Sequence, residues 1–132
     1  MSSGPGHPPG VCTAINCIDG RVQLPVISYL RARFEVEYVD VVTEAGPAAA
    51  LCEPTDSATV QSISERVALS IEHHRSQGLA VVAHHDCAGN PAAADRQQEQ
   101  LRAALPLLRE RFPEVPVVAL WVDEQWRVRE ID

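Results

Sequence analysis

Apolar residues fall along this chain in two patterns: short unbroken runs rich in Val and Ile, and longer stretches where apolar positions recur in steps of three and four. The first pattern suits a strand buried on both faces, the second a helix with one buried stripe. Residues 11–17 make the first run and end at Asp19 and Gly20. Pro25 then opens a helix to residue 34, because its fixed φ matches the first turn and its missing N–H costs nothing there. Residues 36–42 return to β-branched residues and predict a second strand. Residues 43–55 read as an Ala, Gly and Pro-rich loop with room for one helical turn.

Asp56 or Ser57 can cap a long helix that places Val60, Ile63, Val67, Ile71 and His74 on one face. Gly78 is expected to stop it, and residues 79–83 give a third strand. Asn90 and Pro91 are good cap and first-turn residues for the next helix, whose stripe is Leu101, Leu105, Leu108 and Phe112 and which Pro106 should kink or split. Residues 115–122 give a fourth strand, and a turn over residues 123–126 leads to a short fifth over residues 127–131. Strands alternating with helices imply an α/β three-layer sandwich with right-handed crossovers. The expected sheet is mostly parallel, in the order 2-1-3-4, with the fifth strand antiparallel at the edge.

Length and composition narrow the class. A chain of 132 residues, 45% apolar and 22% charged, is one domain's worth of ordinary globular sequence without the long apolar run of a membrane span. The first ten residues are polar, rich in Gly and Pro and unlike a secretory signal. They are expected to be a flexible tail on a cytoplasmic protein, with residues 11–132 a single domain. All eleven basic side chains are Arg against 18 acidic ones, for a net charge of -7. That balance disfavours nucleic acid and anionic membrane as partners. The absence of Lys excludes Schiff-base chemistry and a P-loop.

Four Cys without an export signal read as thiols or metal ligands rather than disulfides, and no Cys-x-x-Cys redox motif is present. Cys12 and Cys17, on one strand, would lie roughly 16 Å apart on opposite faces and cannot bridge. In open parallel sheets ligands bind beyond the carboxyl ends of the strands, where neighbouring connections diverge. That rule selects the loops after the first and third strands, which carry Cys17-Ile18-Asp19-Gly20-Arg21 and His84-His85-Asp86-Cys87-Ala88-Gly89. Cys17, His84 and Cys87 supply two thiolates and an imidazole, a donor set suited to Zn²⁺ with a fourth position left for water or for Asp19. His85 is an alternative ligand through His85-x-Cys87. Asp86 either orients His84 or is simply solvated. Cys12 and Cys52 are expected to pack as small hydrophobes, His73 and His74 to suit a helix end, and Trp121 and Trp126 to cover a sheet edge or a subunit contact.

These motifs resemble those of the β-class carbonic anhydrases. That family carries Cys-x-Asp-x-Arg after its first core strand and His-x-x-Cys after its third, which correspond to Cys17, Asp19, Arg21, His84 and Cys87. Glu44-Ala45-Gly46 sits where the family has Asn-Ala-Gly. Ser70-Ile71-Glu72 and Trp121-Val122-Asp123 resemble its helix before the third strand and its late Trp with an acidic turn. The resemblance implies Zn²⁺ on Cys17, His84 and Cys87, with a zinc-bound hydroxide that hydrates CO₂ to bicarbonate. Asp19 and Arg21 would be the catalytic pair, Asp19 also serving as fourth ligand in a closed state. Activity should rise with pH, because Asp19 displaces neutral water more easily than hydroxide. Free N–H groups near Asn90 could hold the product anion. A homodimer or higher homo-oligomer is implied as well.

Some family features differ. The family's helical N-terminal arm and its substrate-pocket Gln and aromatic residues have no counterpart in the sequence, and Ala88 stands where the family has Gly. These differences bear on CO₂ hydration more than on zinc binding. They keep two alternatives in view: a non-catalytic zinc protein, and a hydrolase of carbonyl sulfide or carbon disulfide.

Overall fold

The computed structural model describes residues 10–132; of the tail expected over residues 1–10, residues 1–9 lie outside them, whereas Gly10 is buried and its carbonyl accepts from the N–H groups of Glu37 and Tyr38. The elements run β1 (Val11–Cys17), a 3₁₀ turn (Gly20–Val22), α1 (Gln23–Arg33), β2 (Tyr38–Glu44), α2 (Pro47–Ala50), α3 (Ala58–His74), β3 (Leu79–His84), α4 (Ala94–Arg111), β4 (Val117–Val122) and β5 (Val128–Ile131). They form a five-stranded sheet in the order β2-β1-β3-β4-β5. β1 pairs in parallel with β2 and β3, β3 in parallel with β4, and β5 closes the edge antiparallel to β4. The α/β architecture, the strand order and the antiparallel fifth strand are those expected.

Every residue of β3 and β4 is buried, as central parallel strands covered on both faces require. On one face Ile15, Val81 and Ala119 pack with Ile63 and Val67 of α3 and Leu101, Leu105 and Leu108 of α4. On the other, Ala14, Ala80 and Leu120 pack with Val26 and Leu30 of α1. Cys17, at the very end of β1, groups with Cys12 rather than across the sheet from it, and both are free thiols.

Several boundaries differ from the sequence expectation, each for a local reason. Helix α1 begins at Gln23, so Pro25 is its third residue. Val36 belongs to the end of α1 rather than to a strand. Its N–H bonds to the Arg31 carbonyl at 3.1 Å, with Glu35 at φ 53, in a Schellman closure that pushes β2 two residues on. Ser57, not Asp56, caps α3, its hydroxyl accepting from the Val60 N–H at 3.1 Å. That helix stops at Arg75, φ 53, rather than at Gly78. Gly78 instead makes room for Phe34, whose ring would lie 2.4 Å from an added Cβ. His74 is exposed, bonded to Asp40 at 2.6 Å. Helix α4 starts at Ala94 behind an Ala93 cap, so neither Asn90 nor Pro91 begins it, and it runs through Pro106 unsplit. Pro116 and Arg127 lie just outside β4 and β5. Cys52 is exposed beyond the single turn of α2. Trp121 is a core residue rather than an edge cover.

Candidate metal centre

Parallel strands β1 and β3 end side by side, so their last residues, Cys17 and His84, meet at the carboxyl edge of the sheet. The turn after β3 brings Cys87 back to them. Donor atoms of Cys17, His84 and Cys87 all lie within 4.8 Å of one another, the only such group of His, Cys, Asp and Glu side chains found among the described residues. All three are buried, His84 completely.

The donor set and its geometry fit a zinc ion. The two sulfurs stand 3.7 Å apart, and thiolates on one tetrahedral Zn²⁺ at about 2.3 Å would be separated by roughly 3.8 Å. His84 Nδ1–H donates to the His85 carbonyl at 2.7 Å, which fixes the tautomer and leaves the Nε2 lone pair free. Nε2 is buried and has no hydrogen-bond partner. A buried acceptor without a donor costs roughly 1–3 kcal/mol, which a metal ion would relieve. Burial pushes the Cys17 thiol up, but the imidazole beside it and hydrogen bonds from the N–H groups of Gly46 and Asp19 outweigh burial and lower it. Cys87 is raised, by burial and then by the charge on Cys17.

The strand end is braced from below. Asn16, fully buried, accepts from the Cys17 N–H at 2.8 Å and donates to the Val22 carbonyl at 3.3 Å. Gln23 donates to the Cys17 carbonyl at 2.6 Å. Asp19 caps the 3₁₀ turn through the Arg21 N–H and takes the Arg21 guanidinium at 2.7 Å, which holds its carboxyl well below the usual carboxylate range. Its Oδ2 lies 3.9 Å from His84 Nε2.

Four of the residues singled out from sequence, Cys17, Asp19, His84 and Cys87, therefore converge, with Arg21 directly behind them. His85 turns away and stands beside Trp126, ring centroids 6.3 Å apart. Asp86 does not orient His84: it bonds Arg21 instead, through its carboxylate at 3.2 Å and its carbonyl at 3.0 Å. Asn90 is buried, its N–H donating to the Cys87 carbonyl at 3.2 Å and its side chain to Gln100, and the first turn of α4 begins beyond it at Ala94. A cavity of about 600 Å³ adjoins the centre, lined in part by Arg21, Asp86, Cys87, Gln97 and Trp121. Gln97 Oε1 in its wall is the other buried side-chain atom, with His84 Nε2, left without a partner among the described residues.

The sequence reading missed three contributors. Gly46 and Gly89 let two loops pass in contact, and Trp126 covers Arg21 with its ring, 4.5 Å from the guanidinium carbon to the ring centroid. The two glycines were visible signals of close approach, whereas nothing in the sequence aims Trp126 at Arg21.

The fold agrees with what comparison shows. Residues 9–132 match the family described as "Putative carbonic anhydrase". The chain belongs to that carbonic anhydrase family. No curated protein matches it. Among solved structures, a carbonic anhydrase from Streptococcus mutans is similar with a TM-score of 0.63 at 18% identity, over 98% of this chain and 88% of that one. A tetrameric β-carbonic anhydrase from Sordaria macrospora gives a TM-score of 0.64 at 15% identity, over 93% and 80%. A β-carbonic anhydrase from Aspergillus fumigatus gives 0.56 at 12% identity, over 97% and 92%. At such identities the likeness is one of fold, a β-carbonic anhydrase-like sheet with the same mixed topology.

Proposed function

We propose that this family member is a zinc enzyme that hydrates CO₂ to bicarbonate, with Cys17, His84 and Cys87 as metal ligands and Asp19 and Arg21 as the catalytic pair. The observation that carries the reading is the bare Nε2 of fully buried His84, facing two thiols spaced as tetrahedral zinc spaces them. Bound there, Zn²⁺ supplies Lewis-acid activation that makes water nucleophilic near neutral pH.

The chain's own groups do the rest. Two thiolates would offset the dication's charge, and the carbonyl of His85 holds the Nδ1 edge of the imidazole and so keeps Nε2 turned toward them. Ionised by Arg21, Asp19 accepts a hydrogen bond from water entering beside His84 and so orients it. The adjoining cavity gives a small substrate room to approach. Self-association belongs to this reading: Ile18 within the motif loop and Leu24 just beyond it are 68% and 77% exposed, and the Sordaria enzymes are tetrameric. A cytoplasmic place is part of the same proposal; among the described residues no helix is long and apolar enough to cross a membrane.

The test is stopped-flow CO₂ hydration by zinc-quantified protein from near-neutral to alkaline pH. A rate above buffer that climbs with pH is expected. Full zinc with no turnover would overturn the enzymatic reading and favour a non-catalytic zinc protein. A parallel assay on carbonyl sulfide covers the related hydrolysis.

A further inference from the structure

Two residues at the carboxyl edge of the sheet hold the left-handed backbone conformation with no helix to end. Among the described residues four non-glycines have positive φ. Glu35 and Arg75 close α1 and α3, where that conformation is usual. Asp86 at φ 58 and Trp126 at φ 61 lie in separate loops, and both grip the same side chain, Arg21. For a bulky residue such as Trp this conformation is an outlier, retained only where surrounding structure enforces it. Here Asp123 enforces it: its Oδ1 accepts from the N–H groups of Gln125 and Arg127, and its carbonyl accepts from the Trp126 N–H at 2.9 Å.

Four of the five N–H groups of Arg21 are thereby engaged. Its guanidinium binds both oxygens of Asp19 and both the carboxylate and the carbonyl of Asp86, while one face lies over Trp126. Asp19 Oδ2, at 3.9 Å from His84 Nε2, is only about half an ångström beyond the roughly 3.3–3.4 Å that separates N and O donors sharing one tetrahedral zinc. We propose that Trp126 and Asp86 are positioning residues that lock Arg21, and through Arg21 hold Asp19 off the metal, so that the fourth position stays open. This rests on the metal reading above. The lock sets the balance between an open and a carboxylate-closed site, and the cation–π contact is a part of it that one substitution removes.

Azide titration of the Co²⁺-loaded full chain, followed by visible absorption, reads the open position directly. Trp126→Ala should weaken azide binding roughly three- to tenfold, because a freed Arg21 releases Asp19 to the metal. Adding Asp19→Ala should restore binding to the level of Asp19→Ala alone, since the competing ligand is gone. Trp126→Phe, which keeps a ring face, should fall between wild type and Trp126→Ala, and carries the test should the Ala variant unfold. Unchanged azide affinity in a cobalt-loaded Trp126 variant, or a loss that removing Asp19 does not reverse, would overturn the lock. A wild-type chain that retains no cobalt would overturn the metal reading itself.

Discussion

Gly46 and Gly89 interlock. A Cβ on Gly46 would stand 2.5 Å from the Gly89 carbonyl oxygen, and one on Gly89 would stand 2.7 Å from the Ala45 carbonyl carbon. The contact joins the loop after β2 to the loop after β3, and so braces Cys87 and the Gly46 N–H that faces Cys17. Gly46 also sits at φ 59, a conformation that costs an L-residue roughly 1–2 kcal/mol. Gly46→Ala should therefore lower Tm by at least roughly 3–10 °C in thermal unfolding and weaken zinc retention in the same sample.

Zinc content separates the two kinds of cysteine. Cys17→Ser should lose the metal after dialysis, whereas Cys52→Ser, at an exposed position, should keep wild-type zinc by atomic absorption. Chelation of the wild-type protein should lower Tm as well, since zinc at a hundredfold its Kd would stabilise the native state by about 2.7 kcal/mol. Equal zinc in Cys17→Ser and wild type would refute the ligand set.

A hydroxyl chain lies buried beneath the sheet. Thr13 Oγ1 is 2.7 Å from both Ser70 and Ser76, Ser70 donates to Asp40 and Ser76 donates to the Gly78 carbonyl. Both serines keep acceptors for their protons if Thr13 is removed. Thr13→Val should hence cost only about 0.5–1.5 kcal/mol, seen as a lower urea midpoint at unchanged slope.

Away from the Cys17, His84 and Cys87 cluster, Glu130 joins β5 to α1. It accepts from the Tyr29 hydroxyl at 2.6 Å and from Arg33 at 2.8 Å. Burial alone would raise its carboxyl, but the hydrogen bonds from Arg33 and Tyr29 lower it. A lowered carboxylate contributes stability above its unfolded pKa and loses it as pH falls through the folded one. The stability gap between wild type and Glu130→Gln should accordingly shrink on acidification below about pH 4.5. Tyr29 is raised from 10 to about 12, by burial and then by Glu130, so stability should fall as pH climbs from 10 toward 12. In Tyr29→Phe that alkaline loss should be smaller, as measured by denaturant unfolding at each pH.

The kinds of element, their order and the two motif loops followed from the sequence, because hydrophobic period and chain connectivity are local properties. Val60, Ile63, Val67 and Ile71 face the core as their spacing requires, and the residues of the two motifs end neighbouring parallel strands. Alternation of strand and helix also placed the site, since crossovers in a parallel sheet leave only its carboxyl edge free for loops of this kind.

Tertiary structure decided the rest. Helix ends moved by a few residues: at Glu35 a left-handed closure lets the Val36 N–H satisfy the Arg31 carbonyl, and at Arg75 the backbone turns left-handed three residues before Gly78. Asn90, which reads as a helix cap, is spent on buried Gln100, and Asp86 serves Arg21 rather than His84. Trp126 reaches Arg21 only because β5 folds back antiparallel on β4, 105 residues along the chain from its partner, and no local pattern encodes such a meeting. Contacts of that separation depend on register and on the direction of a turn, which are settled by packing of the whole sheet.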